Sequence, residues 1–305
     1  MSDAKDGEEE ETPHNIPKEL ETEKFIKFYK DKKFKENEPE TAKNYREVFF
    51  RLEEWFDSHE ELNGWEDFDE YDVGDFVEFL KGEGLYGLTI ERYLDKVSGF
   101  AQSDDREAIS EEIREYEFTS KTLQEEVTGD AVKYLEIPQY KQIVDACEST
   151  VEELIIRSLW ETGVRRAELA ELTIQRVKRD EQLYKVHTKK NDDTRDVPYS
   201  PELKPVLQEW LDWGGRDQYG TADNSNRLVI NMHSGEVTGG WINDVVRRVS
   251  DRAGVGEVYT QDAKGRDLHF PTARHFRNSY ATHRVANGMS LEKLRDLMGH
   301  HSVEV

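Results

Sequence analysis

The sequence predicts a mainly α-helical protein with one small antiparallel β-sheet, divided into two domains. Apolar residues recur at the three- and four-residue spacing of a helix over most of the chain. Three short strand-like segments interrupt this pattern at 172–177, 182–188 and 194–199, and the turn sequence KKNDD joins the last two. A chain of 305 residues is also long enough for about two ordinary domains.

Residues 1–103 are predicted to form an acidic tail followed by a small helical domain. Residues 1–20 contain four consecutive glutamates and no apolar periodicity, which predicts a disordered tail. Four helical patterns follow over 21–103, the first at roughly 20–34. The second has the clearest apolar stripe, at positions i, i+4, i+7 and i+11: Tyr45, Phe49, Leu52 and Phe56. We interpret these aromatic side chains as core residues.

Residues 104–133 are predicted to be a linker, and residues 134–305 a second, mostly helical domain. The linker segment is polar, highly charged and only weakly periodic. Helical periodicity returns after Pro138 and stops at Gly163, where the three predicted strands follow. Four more helices are predicted over 201–213, 240–253, 273–287 and 290–298.

Charge is distributed unevenly along the chain. The net charge is −24, from 66 acidic and 42 basic side chains. Residues 1–150 hold 42 of these acids and 19 of the bases, whereas residues 151–305 hold 24 and 23. Basic clusters in the second half, such as Arg165-Arg166 and Lys189-Lys190, indicate an anionic partner, with ordinary surface ion pairs as the alternative. The acid excess is typical of a halophilic protein, and an acidic protein of ordinary salt tolerance is the alternative.

The composition excludes several classes of protein. No stretch approaches the ~20 apolar residues that a membrane span needs. The N-terminus lacks the basic start and apolar segment of a secretory signal. The single cysteine, Cys147, can form neither an internal disulfide nor a zinc site built on cysteine pairs. We therefore expect a cytoplasmic protein without a membrane segment or a structural metal.

Three separated segments carry motifs that occur together in one known family. Residues 162–169 read TGVRRAEL, residues 187–198 run from HTKKN to RDVP, and residues 271–282 read PTARHFRNSYAT, followed by LMGH at 297–300. In this order they resemble the tyrosine recombinases, the family of phage integrases and Xer-type site-specific recombinases. The matching family boxes are TGxRxxEL, a lysine-bearing β-hairpin, and HxLRHxFAT followed by LGH. The resemblance covers about residues 20–305, since the helical first domain is similar to the family's core-binding (SAM-like) domain and the second to its catalytic domain.

The resemblance implies a DNA-cleaving site formed by Arg165, Lys189, Arg274, Arg277 and His300. Arg165 and Arg277 would hold the phosphate, because a guanidinium stays charged and donates two parallel hydrogen bonds to phosphate oxygens. A hairpin lysine would protonate the departing 5′ oxygen. Lys189 fits by position, and one extra residue before Arg195 keeps Lys190 open. His300 would donate to the phosphate or assist proton transfer.

Each of these assignments has a structural alternative. Arg165 could serve only as an ion-pair partner of Glu168. Lys189 and Lys190 could be exposed turn lysines, and His300 could be a helix-terminal histidine stabilised by the helix dipole.

The sequence departs from the family pattern at two places. Arg274 stands where the family usually has histidine, with His275 beside it, and an arginine binds phosphate but is a poor general base. Asn278 follows Arg277 where the family often has a second histidine. The family's nucleophilic tyrosine lies roughly nine positions after the LGH histidine, whereas this sequence ends at Val305. We therefore expect a C-terminally truncated catalytic domain of the haloarchaeal type, without a visible nucleophile.

The resemblance implies a site-specific recombinase that cuts and rejoins DNA through a 3′-phosphotyrosine, without a cofactor. Its partner would be double-stranded DNA, with four protomers assembled on two sites. The alternative is a catalytically inactive DNA-binding remnant or regulator of recombination. A third reading, a helical protein-interaction module with chance motif matches, is disfavoured by the basic clusters in so acidic a chain.

Overall fold

The computed structural model describes residues 39–59, 64–116, 132–188, 193–262 and 265–299. They belong to two compact units that divide between residues 131 and 132. Both units are built mainly of helices, and the second contains small antiparallel sheets, so the predicted fold class is confirmed. The predicted tail at 1–20 and the helix at roughly 20–34 lie outside the described residues.

Within its described residues the first unit contains four helices, α1 to α4: Pro39–Asp57, Asp72–Gly82, Gly87–Ser103 and Glu107–Glu115. The predicted apolar stripe of α1 faces its core, with Phe49 and Leu52 buried and Tyr45 and Phe56 partly buried. Aromatic rings fill this core edge to face. The Trp55 ring lies 5.5 Å from that of Phe68, at an interplanar angle of 88°. The interpretation of these aromatics as core residues is therefore confirmed.

The boundary predicted at residue 103 is wrong, because α4 lies within the predicted linker. Ile109 and Ile113, one turn apart on α4, are buried in the first unit's core. The Ser110 hydroxyl donates to the Ser98 carbonyl oxygen at 2.9 Å, which joins α4 to α3. Acidic residues fill most of the remaining positions of α4, so the polar average of the segment conceals a short apolar stripe.

The second unit contains seven helices and five strands within its described residues. The helices α5 to α11 are Ile137–Asp145, Thr150–Thr162, Arg166–Glu171, Lys204–Leu211, Gly239–Arg252, Ala273–Ala286 and Leu291–Met298. The strands β1 to β5 are Val177–Lys178, Leu183–Thr188, Asp193–Pro198, Glu257–Gln261 and Asp267–Phe270. Short 3-10 helices span Ile174–Arg176, Pro201–Leu203 and Ala222–Asn224.

Helix α6 lies inside this unit, with buried side chains around most of its circumference. It begins at Ser149, whose hydroxyl oxygen accepts a hydrogen bond from the Glu152 backbone N–H at 3.4 Å. It ends at Gly163, which adopts the left-handed conformation at φ 60°. A Cβ at Gly163 would lie only 2.5 Å from Cδ1 of Tyr280, so the close approach of α10 also requires glycine.

The main sheet has the order β1-β2-β3 and is antiparallel throughout. Only the end of the first strand-like segment forms a strand, since Ile174–Arg176 is a 3-10 helix and β1 has two residues. The sequence prediction also missed the hairpin of β4 and β5, which pair antiparallel. Strand β4 has no buried residue, and such a strand lacks the alternation of buried and exposed positions that identifies one in a sequence.

Candidate DNA-cleavage site

The structure brings Arg165 and Arg277 together, although 111 residues separate them in the sequence. Arg165 caps the start of α7, directly after the turn at Gly163 that ends α6. Arg277 lies in the second turn of α10, which packs against α6. Both guanidinium groups donate to the carbonyl oxygen of Met298, at 3.4 Å from Arg165 and 2.7 Å from Arg277.

The end of α11 supplies carbonyl groups to this cluster. Arg165 donates to the Gly299 oxygen at 3.1 Å in addition to that of Met298. The Arg195 Nε donates to the Leu297 oxygen at 2.8 Å. The last carbonyls of a helix lack partners within the helix, and arginines near a helix C-terminus satisfy them and interact favourably with its dipole.

Arg277 is the most buried cation of the site, with 9% of its surface exposed. Its Nη1 donates to the Gly163 oxygen at 2.7 Å, so it also ties the end of α6 to α10. Burial lowers the pKa of Arg277 to about 9, and the neighbouring Arg165 charge acts in the same direction. The group is therefore still protonated at neutral pH.

Glu168 is the anion at the centre of the cluster. Its carboxylate accepts from the Arg165 backbone N–H at 2.8 Å and from the Arg165 Nη1 at 2.9 Å. It also accepts from two nitrogens of Arg195, at 3.0 and 2.8 Å. Burial by itself would raise the pKa of Glu168, but these hydrogen bonds and cations outweigh it and lower the pKa to about 2.

The predicted ion pair of Arg165 with Glu168 is present, and it leaves part of Arg165 accessible. The Arg165 side chain is 40% exposed, against 7% for Glu168. Arg165, Arg195 and Arg277 together with the one carboxylate give the cluster a net positive charge. A partly exposed guanidinium backed by further cations is suited to binding an external anion such as a phosphate.

Arg274 shares no hydrogen bond or ion pair with the described residues of this cluster. It lies in the first turn of α10 and is exposed, and within the described parts of the chain its guanidinium has no hydrogen-bond or ion-pair partner. Arg274 is therefore accessible to solvent, and its role in the site stays a prediction.

His275 has a structural position beside it. Its Nδ1 accepts a hydrogen bond from the Thr272 backbone N–H at 3.0 Å, which satisfies the start of α10. Burial lowers the pKa of His275 to about 4, and the charges of Arg274 and Lys133 contribute. His275 is therefore neutral at pH 7, with Nδ1 as a hydrogen-bond acceptor.

Three predicted site residues, Lys189, Lys190 and His300, lie outside the described residues. Their assignments stay predictions, as does the position of the nucleophile. Among the described residues, no group of histidine, cysteine and acidic side chains could hold a metal ion. None of the described helices is long and apolar enough to cross a membrane.

The sequence analysis missed the role of Arg195, although Arg195 is the first residue of the RDVP segment in the second motif. The signal was present in the alternation of β3. Arg195 is paired with Val186 and lies two residues before Val197, and both valines are buried. Side chains two apart on a strand share a face, so an arginine on the core face needs charged or polar partners within the protein.

Comparison with known proteins identifies the family. Residues 133–305 match the phage integrase family. The chain is similar to tyrosine recombinase XerC of Corynebacterium glutamicum, with 26% identity over 191 residues, which cover 61% of this chain and 56% of that protein. It is also similar to tyrosine recombinase XerD of Oceanobacillus iheyensis, with 21% identity over 271 residues, covering 86% of this chain and 84% of that protein. The chain thus spans little more than half the length of the XerC relative.

Solved structures show the same fold. A lambda integrase dimer bound to a COC′ core site superposes with a TM-score of 0.66 at 14% identity, covering 92% of this chain and 91% of that one. The lambda integrase tetramer bound to a Holliday junction gives a TM-score of 0.63 at 15% identity, covering 92% and 74%. With the match to the family profile over more than half of its length, the chain belongs to the phage integrase family, whose Xer-type members are tyrosine recombinases.

Proposed function

We propose that this protein is a site-specific DNA recombinase whose Arg165 and Arg277 hold the phosphate at which a strand is cut. The observation that carries the proposal is the convergence of these two arginines, from α7 and α10, on one net positive cluster with a partly exposed guanidinium. Family membership supplies the reaction type, and the cluster supplies a chemical reason for it. Phosphoryl transfer adds negative charge to the phosphate, and fixed cations stabilise that charge.

In the proposed reaction a tyrosine loses its phenolic proton to solvent as its oxygen attacks the phosphorus of one DNA strand. The bond from phosphorus to the 5′ oxygen breaks, and the strand remains joined to the protein through a 3′-phosphotyrosine. A hairpin lysine, Lys189 or Lys190, donates the proton that the departing 5′ oxygen needs. Attack by the 5′ hydroxyl of a partner strand then releases the tyrosine and rejoins the DNA.

Two further groups complete the proposed site. Arg274 would contact the phosphate as a third cation, since it is exposed on the first turn of α10. It does not act as a base, because a guanidinium does not give up its proton at neutral pH. The residue before His300 is Gly299, whose carbonyl oxygen accepts a hydrogen bond from Arg165. His300 would donate to the phosphate or assist the proton transfer.

We also propose that the first unit is a core-binding domain that contacts DNA through α3 and α1. Arg92 and Lys96 lie one turn apart on α3, and neither has a carboxylate within ion-pair distance among the described residues. The Lys96 ammonium lies 5.8 Å from the centre of the Tyr45 ring on α1. Basic side chains without an acidic partner, one of them next to an aromatic ring, are typical of a nucleic-acid contact in a unit otherwise rich in acidic residues.

Assembly and salt dependence follow from the same proposal. A homotetramer on two DNA sites is supported by the likeness to lambda integrase, which has been solved as a tetramer on a Holliday junction.

With a net charge of −24, the protein would rely on a few local cations rather than on its overall field. Each phosphate contact releases counterions, so binding should weaken as salt rises. A halophilic protein would offset this with base and shape contacts, and its place of action would be the cytoplasm.

The experiment starts from a duplex selected by the protein from a random-sequence library. A nick placed near the selected site lets the cut fragment diffuse away, so that a covalent protein–DNA adduct accumulates and is detected on a denaturing gel. The nucleophilic tyrosine is expected roughly nine positions after His300, so the test uses the protein expressed from the full reading frame. We expect an adduct with that protein and none when it carries Arg165→Ala. Arg179→Ala is the matched control, because Arg179 is an exposed arginine of the same unit that pairs with Asp212 at 2.5 Å.

The same experiment separates the alternatives. Sequence-specific binding without an adduct would favour a DNA-binding regulator that holds sites without cutting them. Binding without any sequence preference, equal for the unchanged chain and for Arg165→Ala, would contradict both functions.

A further inference from the structure

Arg195 is placed where strand β3 turns a charged side chain toward the protein interior. It is paired with Val186 of β2, and only 12% of its side chain is exposed. A guanidinium at such a position is stable only if its donors find partners inside the protein. The partners of Arg195 come from two other elements of the second unit.

The first partner is Glu168 of α7, which Arg195 holds with two parallel hydrogen bonds of 3.0 and 2.8 Å. The second is the end of α11, where the Arg195 Nε donates to the Leu297 oxygen at 2.8 Å. Gly299 packs directly on the guanidinium, because a Cβ there would lie 3.0 Å from Nη1 and 3.1 Å from Cζ of Arg195. Arg195 thus joins β3, α7 and the end of α11.

Glu168 is shared between Arg195 and Arg165, and this sharing has an electrostatic consequence. Arg195 forms a bidentate pair with the carboxylate, whereas the Arg165 side chain donates to it through Nη1 alone, at 2.9 Å. Without Arg195, Oε2 of Glu168 would keep its bond from the Arg165 backbone N–H at 2.8 Å and could accept a second one from the Arg165 side chain. Arg165 would then be turned toward Glu168 and neutralised by it.

We propose that Arg195 is a positioning residue that keeps Arg165 available to a phosphate, by engaging Glu168 and by fixing the end of α11 against the cluster. Arg195 itself does not touch the phosphate, and it acts through Arg165. The identity of the phosphate as one of DNA rests on the proposed function, whereas the coupling between the two arginines does not.

A double-mutant cycle on DNA affinity tests this coupling. Arg195→Lys keeps the charge and removes the bidentate geometry. We expect Arg195→Lys to weaken binding of the selected duplex about tenfold in the unchanged chain, and less than about twofold in an Arg165→Ala background. Fluorescence anisotropy at fixed salt measures both. Equal losses in the two backgrounds would mean that Arg195 supports only the fold, and would overturn the proposal.

Arg216→Lys is the matched control for a structural arginine. Arg216 is about as buried as Arg277 and donates to the carbonyl oxygens of Ala222 and Ser225, at 3.1 and 2.7 Å. Arg216→Lys should lower stability, but it should change DNA affinity by the same factor in the unchanged chain and in the Arg165→Ala background. If Arg216→Lys depends on the presence of Arg165 as strongly as Arg195→Lys does, the proposal is also overturned.

A second measurement uses inorganic phosphate in place of DNA. At constant ionic strength, phosphate should raise the melting temperature of the unchanged chain, because a ligand that binds the folded state stabilises it. Arg195→Lys should need several-fold more phosphate for the same rise, and Arg165→Ala should not respond. If this holds while the duplex fails to bind, the proposed function fails and the role of Arg195 stands. If phosphate does not change the melting temperature of the unchanged chain, the proposal is overturned.

Discussion

Replacing Glu168 by glutamine should change the stability of the second unit in a way that depends on pH. The substitution keeps the shape of the side chain and removes the charge that Arg165 and Arg195 share. The pKa of Glu168 is lowered from 4.5 to about 2, which corresponds to about 3 kcal/mol in favour of the folded state at pH 7. Because the folded-state pKa is the lower one, this contribution is complete above pH 4.5 and is lost as the pH falls toward 2.

The assay is urea unfolding of the unchanged chain and of Glu168→Gln, followed by tryptophan fluorescence between pH 7 and pH 3. The difference between the two free energies of unfolding should shrink by about 2 kcal/mol over this range. Glu181→Gln, which removes an exposed carboxylate of the same unit, is the control and should show a far smaller change. A difference between the unchanged chain and Glu168→Gln that stays constant from pH 7 to pH 3 would refute the reasoning.

Two further predictions concern the elements that flank the cluster. Gly163→Ala should destabilise the protein by about 1 to 3 kcal/mol more than Gly254→Ala. Both glycines have positive φ, but only a Cβ at 163 would meet the ring of Tyr280. Equal losses of stability in thermal unfolding would refute this packing. Burial lowers the pKa of His275 from 6.5 to about 4. Between these two pH values the histidine is protonated in the unfolded chain and neutral in the folded one. The free energy of unfolding should therefore fall by up to about 3 kcal/mol as the pH drops from 6.5 to 4. His275→Gln keeps an acceptor for the Thr272 N–H, and its stability should lack that fall; an unchanged pH profile in urea unfolding would contradict the assignment.

The sequence predicts most of the helices because their apolar stripes are wide and their ends are marked. Helix α2 is one of the four helical patterns predicted over 21–103, and its apolar side chains Val73, Phe76, Val77 and Leu80 are buried. The end predicted at Gly163 is confirmed by its left-handed conformation. Helix α4 and the hairpin of β4 and β5 were missed for one shared reason: polar residues dominate both segments, so their patterns carry little of the periodicity on which the prediction depends.

The candidate site was predictable by residue type but not by contact. The family resemblance named Arg165 and Arg277, whereas their meeting at the Met298 carbonyl depends on how α10 packs on α6 and how α11 packs on α10 and β3, which no local pattern contains. The ion pair with Glu168 was predictable, because residues three apart at a helix start are neighbours. That Arg195 holds the other side of this carboxylate follows only from the tertiary structure.

The central claim is that the arginine cluster binds one phosphate of the DNA backbone, and a crystal structure of the protein with its selected duplex tests it most directly. We predict that oxygens of a single phosphate lie within about 3 Å of guanidinium nitrogens of Arg165 and Arg277, with Glu168 still held by Arg195. A complex in which the duplex lies elsewhere, and both arginines bond only to groups of the protein itself, would contradict the claim.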